Sequence, residues 1–461
     1  MFAGFDFGTS NCAIGIIDKK STTEEKTAVK LAALEGDRAY MPSTLYALER
    51  ELICDYVAHH IPHHAEQERY ISHRKLLLAQ AQRVRNEYDI GSSERIVFVG
   101  NDAFDQYQAM PDEGYFIKSP KSFLGASGLR PEFIQFFEDI ITAMMLSIKQ
   151  RAEQHLGHSI EQTVIGRPVN FQGLQAEESN RQAIDILRLS AKRAGFKAVE
   201  FIYEPLAAGF DFEARLHENK TVLVVDIGGG TSDCAMLTMG PASRNKPDRS
   251  GDLLGHSGER IGGNDFDIQL AGKAIMPLFG MKSLLKNGLP MPSSYFFDAV
   301  ATNDAGAQAR FASLATSESL KRLLLDTTEP ALFKRLLLLR EEKLNYQLVK
   351  TAEQAKIALS ENQQIQVPLD YIEALLSCDV NVAQLEQAIA QPLSSIVSLM
   401  RETIRQAGTL PDVVYVTGGS AKSPLLRAAI KQAMGDIDIV DGDHFGSVAA
   451  GLTLWAKRLY Q

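Results

Sequence analysis

The feature that most constrains this 461-residue chain is an internal repeat. Residues 2–17 read FAGFDFGTSNCAIGII and residues 222–239 read VLVVDIGGGTSDCAMLTM, each an apolar run, a glycine turn and a second apolar run. Alignment on the acids matches Asp6 with Asp226 and TSNCA with TSDCA, and it predicts that the second turn is two residues longer. A duplicated strand–turn–strand unit predicts two related lobes that face each other.

A second, weaker repeat predicts that each half of the chain ends in a similar helix. Residues 205–209 read PLAAG and residues 447–451 read SVAAG, and both segments are typical of helices with small residues. Further predicted elements lie between them: strands at 163–171, 199–203 and 413–417, and helices at 174–194 and from Glu204. This alternation predicts an α/β fold with mostly parallel, doubly wound sheets.

The same landmarks predict the domain organisation. We expect lobe I over residues 1–217 and lobe II over residues 218–461. Two stretches match neither copy of the repeat and are predicted to be inserted subdomains, one at about 40–115 and one at about 264–385.

Composition excludes several classes of protein. Lys and Arg number 48 against 57 Asp and Glu, a net charge of −9, which argues against a protein that grips nucleic-acid phosphates. The N-terminus has no signal-peptide pattern, and no apolar run approaches the ~18 residues of a membrane helix. The four cysteines form no CxxC pair. We expect a cytoplasmic protein with no nucleic-acid or membrane ligand. We also expect a monomer with an unidentified protein partner or client, although composition alone does not decide this.

The two glycine turns carry the chemistry. Glycines directly after a strand let backbone N–H groups cradle phosphate oxygens. Asp6 and Asp226 would repel phosphate, so their place at the strand ends predicts a hard cation such as Mg²⁺ between them. Thr9, Ser10 and Thr231 can donate hydroxyl hydrogen bonds to the same oxygens. The alternative is two plain hairpins in which Asp forms the turn and Gly supplies positive φ. Two copies in chain order favour the phosphate site.

Several segments together resemble a known family. The two hairpins, VIGRPVNF, YEPLAAG, IGGNDFD, EQAKIALS and VYVTGGSAKSP are similar to the nucleotide-binding domain of the DnaK-type, seventy-kilodalton heat-shock chaperones, within the actin-like ATPase superfamily. The resemblance covers residues 1–18, 115–240, 255–270, 350–370 and 410–457. It implies an actin-like ATPase fold of two lobes, each with a core α/β subdomain and an insertion, and slow Mg²⁺-dependent hydrolysis of ATP.

The resemblance also implies roles for individual residues. The catalytic set would be Lys121, Glu204, Asp226 and Asp233. Asp6 and Asp226 would hold Mg²⁺ through water, and Lys121 would face the γ-phosphate, with Lys118 as the alternative lysine. From the residues alone, Lys121 is typical of a solvated surface lysine.

The implied nucleotide contacts extend beyond the acids. In the two turns they are Gly8, Thr9, Ser10, Asn11, Gly228, Gly229, Gly230 and Thr231. Glu353, Lys356 and Ser360 share one helix face that would bind adenosine, although a salt-bridged exposed face gives the same pattern. The pocket would be completed by Gly263, Gly418, Gly419, Ser420 and Lys422.

Departures from the family pattern qualify the expected function. Ile357 stands where the family usually has an arginine on the adenine, Asn11 replaces other residues common there, and Phe445 falls where an Asp is frequent. The family's hydrophobic linker and peptide-binding β-sandwich have no counterpart in this sequence, so we expect no peptide-binding domain. The prediction is a DnaK-like chaperone or conformational switch. Two alternatives stay open: a gated module that binds ATP without turnover, and a small-molecule kinase on the same scaffold.

Overall fold

The computed structural model describes residues 1–17, 29–110, 113–126, 128–171, 176–244, 246, 249–442 and 446–461. Its strands are β1 Phe2–Phe7, β2 Asn11–Ile17, β3 Lys30–Leu31, β4 Met41–Pro42, β5 Thr44–Ala47, β6 Val97–Val99, β7 Tyr115–Lys118, β8 Gln162–Arg167, β9 Ala198–Tyr203, β10 Lys220–Ile227, β11 Ser232–Met239, β12 Leu253–Glu259, β13 Gln364–Pro368, β14 Ser377–Asn381, β15 Val413–Thr417 and β16 Asp438–Asp441.

The α-helices are α1 Leu52–His60, α2 His64–His73, α3 Lys75–Glu87, α4 Asn101–Ala109, α5 Pro131–Leu156, α6 Ala176–Arg193, α7 Glu204–Arg215, α8 Gly263–Leu270, α9 Ser294–Val300, α10 Ala305–Ala312, α11 Leu314–Asp326, α12 Pro330–Glu341, α13 Asn345–Ala358, α14 Val382–Ala407, α15 Pro424–Met434 and α16 Ser447–Tyr460. Within the described ranges, none of them is both long and apolar enough to span a bilayer.

Two sheets share one topology. The first has the order β3-β2-β1-β8-β9, with β4 also on β2, and the second has the order β12-β11-β10-β15-β16. In each, the hairpin strands pair antiparallel and the last three strands pair parallel. The expectation of mostly parallel sheets is wrong, because a tight turn can only join antiparallel neighbours whereas the parallel pairs need helical crossovers.

The two repeated hairpins have turns of equal size. The last paired residues are Phe7 with Cys12 and Ile227 with Ser232, so each turn encloses four residues. The predicted longer second turn is therefore wrong, and the two extra residues change the strand register instead. As a result Asp6 lies opposite Ala13, whereas Asp226 lies opposite Asp233.

Helices α7 and α16 contain the two predicted small-residue segments and pack together. A Cβ added at Gly451 would lie 1.8 Å from the carbonyl oxygen of Ala207, so this crossing requires glycine. Buried residues of both helices form one core cluster with both sheets, among them Ala207, Leu452, Val164 and Val224. Two further clusters of buried apolar residues, one for each of these sheets, lie between the sheet and the helices packed on it.

The two predicted insertions contain their own elements. Residues 40–115 contain the three-stranded sheet β6-β5-β7 and helices α1 to α4, and residues 264–385 contain most of α8 to α13 and the hairpin β13-β14. The insertions touch each other: the rings of Tyr107 and Tyr346 are 5.8 Å apart, and the Tyr107 hydroxyl donates to the Lys343 carbonyl. The division into domains stays a prediction.

Candidate nucleotide-binding site

A cavity of about 610 Å³ lies between the two hairpin turns, α8, α13 and the turn after β15. Most of the predicted site residues line it: Asp6, Gly8, Thr9, Ser10, Asn11, Glu204, Asp226, Gly228, Gly229, Thr231, Gly263, Glu353, Lys356, Ser360, Gly418, Gly419, Ser420 and Lys422. Three predicted residues do not line the cavity, namely Lys121, Gly230 and Asp233. Each of these contacts a residue of the lining or adjoins one in sequence.

The glycine turns pack closely against each other. A Cβ added at Gly229 would lie 1.6 Å from Ser10 Oγ, and one at Gly230 would lie 2.4 Å from Thr9 Cγ2. Gly228, Gly229 and Gly230 are all absent from the glycines with positive φ. Gly229 and Gly230 are therefore required for space across the cleft rather than for a left-handed turn, contrary to the plain-hairpin alternative, whereas a Cβ at Gly228 would make only ordinary contacts.

Three acids, Asp6, Glu204 and Asp226, line this cavity, and a fourth, Asp233, lies opposite Asp226 on the neighbouring strand. Glu204, Asp226 and Asp233 are buried. Burial, followed by the charge of Glu204, raises the pKa of Asp6 to about 8 and that of Asp233 to about 7. The same two causes raise the pKa of Asp226 well above its ordinary value. Burial and mutual repulsion thus disfavour the ionised carboxylates, and a hard divalent cation held through water would offset both. Within the described residues, no group of three or more His, Cys, Asp or Glu side chains is arranged to hold a metal ion directly.

Lys121 is the cation that the structure places among these acids. Its Nζ lies 2.5 Å from Glu204 Oε1, and the side chain is buried rather than solvated. Burial lowers the pKa of Lys121, but the charges of Glu204 and Asp6 outweigh it and raise the pKa above its ordinary value. Lys118 instead lies 4.0 Å from Glu353 on α13. Of the two candidate lysines, Lys121 is the one beside the carboxylates.

The end of β8 and the residues after it contact two of the acids, and the sequence analysis did not single out these positions as site residues. The backbone N–H of Val169 donates to Asp233 Oδ1 at 2.8 Å, which joins the two halves of the molecule. A Cβ at Gly166 would lie 2.9 Å from Glu204 Cγ, so glycine leaves room for that acid. The segment VIGRPVNF supported the family resemblance, but no local pattern reveals which carboxylate a backbone N–H will meet.

Helix α13 presents its predicted face to the cavity with its charges paired. Lys356 Nζ lies 2.7 Å from Asp267 Oδ1 and donates to the Gly263 carbonyl at 3.2 Å. Glu353 lies 3.0 Å from Lys350. The face that was predicted to bind adenosine is thus also the salt-bridged face. Asp267, within IGGNDFD, is a cavity residue that the sequence analysis did not single out.

The positions that depart from the family pattern are partly described. Ile357 is 60% exposed and lies on the cavity wall, where its apolar side chain is open to a ligand. Asn11 begins β2 and also lines the cavity. Phe445 lies outside the described residues.

The turn after β15 packs on the second hairpin. Ser420 Oγ donates to the Gly228 carbonyl at 2.9 Å. Gly418 has φ +89°, and a Cβ there would lie 2.3 Å from the Ile227 carbonyl oxygen, so this position requires glycine on both counts.

Duplicated hairpins on two like sheets, with a cleft of acids and glycines between them, define the actin-like ATPase class. The family model described as "Hsp70 protein" matches residues 128–282 and 334–457, more than half of the chain. This chain belongs to the Hsp70 family, which confirms the resemblance and the fold inferred from the sequence. The matched ranges contain Glu204, Asp226 and Asp233 but neither the first hairpin nor Lys121.

One curated relative shows how far the likeness extends along a whole protein. "Chaperone protein DnaK" of Mycoplasmopsis agalactiae is 29% identical over 177 residues. The alignment spans 38% of this chain and 27% of that protein.

Proposed function

We propose that this chain binds ATP with Mg²⁺ in the cleft and hydrolyses the γ-phosphate slowly, as a DnaK-like conformational switch. The observation that carries the proposal is the group of four acids and Lys121 beside two glycine turns that meet across the cavity. We retain the lobes at residues 1–217 and 218–461, with insertions at about 40–115 and 264–385, as part of the proposal.

Asp6 and Asp226 would hold the cation through water. Their raised pKa values support this assignment, since a nearby dication favours the ionised carboxylates that burial disfavours. Bound Mg²⁺ supplies charge neutralisation for the phosphates.

Hydrolysis requires positioning rather than a covalent intermediate. Glu204 and Asp233 offer carboxylate oxygens that can accept a hydrogen bond from the attacking water. Lys121, held at 2.5 Å by Glu204, offsets charge that develops on the γ-phosphate. Val169 fixes the orientation of Asp233 through its backbone N–H.

The nucleoside would lie along α13. Lys356 and Ser360 present polar groups at the cavity, and Ile357 offers an apolar contact for a purine face. This surface suits adenosine without a stacked arginine.

We expect slow turnover because the product would be a change of lobe angle rather than a metabolite, and two contacts that join the halves would respond to such a change. The backbone N–H of Val169 bonds to Asp233, one of the four acids, and the Tyr107 ring contacts the Tyr346 ring between the two insertions. A change in lobe angle would alter both contacts, so the nucleotide state can be read by a protein partner.

Single-turnover release of phosphate from ATP tests the proposal. We expect Mg²⁺-dependent release that is lost in Lys121→Ala and Asp226→Asn and retained in Lys197→Ala, whose exposed lysine pairs with Glu161 at 2.6 Å. Hydrolysis that survives Asp226→Asn would overturn the metal assignment. Tight ATP binding without release would favour the gated module, and release that depends on an added polyol would favour the kinase.

A further inference from the structure

Ser122 carries a buried hydroxyl that the described part of the protein leaves without a partner. The residue is 6% exposed, and its Oγ makes no hydrogen bond within the described residues. Buried hydroxyls in native proteins are nearly always hydrogen-bonded, because losing water without replacement lowers stability. Ser122 does not itself line the cavity, but its unpaired hydroxyl lies close to Gly230 of the second glycine turn, which suggests that a ligand is its partner.

The position of Ser122 identifies the kind of ligand. It lies in the 3₁₀ turn Pro120–Phe123, directly after Lys121. Its Oγ is 3.3 Å from the place that a Cβ at Gly230 would take, and Thr9 Cγ2 is 2.4 Å from that same place. The hydroxyl thus lies where both glycine turns meet the turn that carries Lys121.

We propose that Ser122 is a phosphate ligand of this site, which donates its hydroxyl hydrogen to the terminal phosphate of the bound nucleotide. The inference rests on the proposed ATP site and adds a residue to it. A serine hydroxyl can donate a hydrogen bond to a phosphate oxygen. Lys121 next to it supplies the positive charge that places the terminal phosphate at this end of the cleft.

Ser283 provides a matched control elsewhere in the molecule. It is 2% exposed and its Oγ also lacks a partner within the described residues. It lies in the insertion of the second half, where its backbone bonds to Gly280 and Met291. Neither Ser283 nor these two neighbours lines the nucleotide cavity. Ser122 does not line it either, but its Oγ lies close to Gly230, which adjoins the lining residues Gly229 and Thr231.

The experiment compares Ser122→Ala and Ser283→Ala in the full chain. Melting temperatures are measured without nucleotide, and affinities for Mg²⁺ with ADP and with the β,γ-imido analogue of ATP are measured by calorimetry. We expect both variants to melt at or above the wild-type temperature, since each loses an unpaired buried hydroxyl. Ser122→Ala should bind the ATP analogue about tenfold more weakly and ADP within twofold of wild type. Ser283→Ala should bind both as wild type does.

The outcomes separate the two proposals. Equal affinity of Ser122→Ala and wild type for the ATP analogue overturns the role of Ser122 and leaves the proposed function standing. Equal losses for ADP and the analogue overturn the assignment to the terminal phosphate. A lower melting temperature for Ser122→Ala without nucleotide overturns the premise that the hydroxyl is unpaired. Wild-type protein that binds neither nucleotide removes the proposed function, and the role of Ser122 with it.

Discussion

The two copies of the hairpin have the same strand arrangement, but a different residue lies opposite the aspartate of the first strand in each. In β1–β2, Asp6 is paired with Ala13, and in β10–β11, Asp226 is paired with Asp233. The second copy therefore supplies a pair of buried carboxylates, while the first half of the chain supplies Lys121 and Glu204. Duplication thus built a symmetric scaffold, and a shift in strand register made its chemistry asymmetric.

The largest expected effect breaks the contact between the two turns. Gly229→Ala should weaken ATP binding by roughly 100-fold, because its Cβ would lie 1.6 Å from Ser10 Oγ. Gly228→Ala is the matched variant, since its nearest neighbour would lie at an ordinary 3.4 Å. Calorimetric titration with ATP and Mg²⁺ compares them, and a Gly228→Ala loss as large as that of Gly229→Ala would contradict the packing argument.

The next largest effect should come from replacing Asp233, an acid that has no counterpart in the first hairpin. Asp233→Asn should slow single-turnover phosphate release by about 100-fold with ADP affinity little changed, because a positioned carboxylate on the reacting water is lost. Asn11, which aligns with Asp233 in sequence, does not occupy the equivalent place, so Asn11→Ala should slow release much less. Equal losses in the two variants would show that the sequence alignment, and not the register, gives the equivalence.

Helices α7 and α16, which contain the PLAAG and SVAAG segments, allow the two halves to be compared in stability. Gly451→Ala should lower the free energy of unfolding by about 2 kcal/mol, because the added Cβ meets the Ala207 backbone at 1.8 Å. Gly209→Ala, the counterpart in the other helix, meets the flexible end of Met239 at 2.0 Å and should cost less. Urea unfolding measures both, and a larger loss at Gly209 would refute the distinction between backbone and side-chain neighbours.

The smallest expected effect, taken per pH unit, is a slope of the free energy of unfolding against pH. The pKa of Asp6 rises from 3.8 to about 8 on folding, so the folded chain binds more protons than the unfolded chain in this window. The free energy of unfolding without metal should therefore fall as pH rises between these values, by up to about 1.4 kcal/mol per pH unit for one proton. Asp6→Asn should reduce the slope by the share of one proton and leave the part due to Asp226 and Asp233, whose pKa values are also raised. Stability that rises with pH over the same range in wild type would contradict the burial of this carboxyl.

Much of the fold could be predicted from local sequence patterns. The duplicated hairpin, the strand at residues 413–417 and the helix that begins at Glu204 were predicted from the sequence, because apolar runs and glycine turns are local signals. The mostly parallel pairing of strands and the longer second turn were predicted wrongly. Both depend on which strands pair and in which register, and that is settled by packing between distant parts of the chain.

The candidate site divides in the same way. The sequence by itself determined the glycine turns, the acids at the strand ends and the helix face on α13, since each is a short pattern with its own chemistry. Only the tertiary structure decided that Lys121 rather than Lys118 joins the acids, that Val169 holds Asp233, and that Ser122 is buried without a partner. Contacts between distant segments and the burial that they cause are consequences of the whole fold, and no local pattern encodes them.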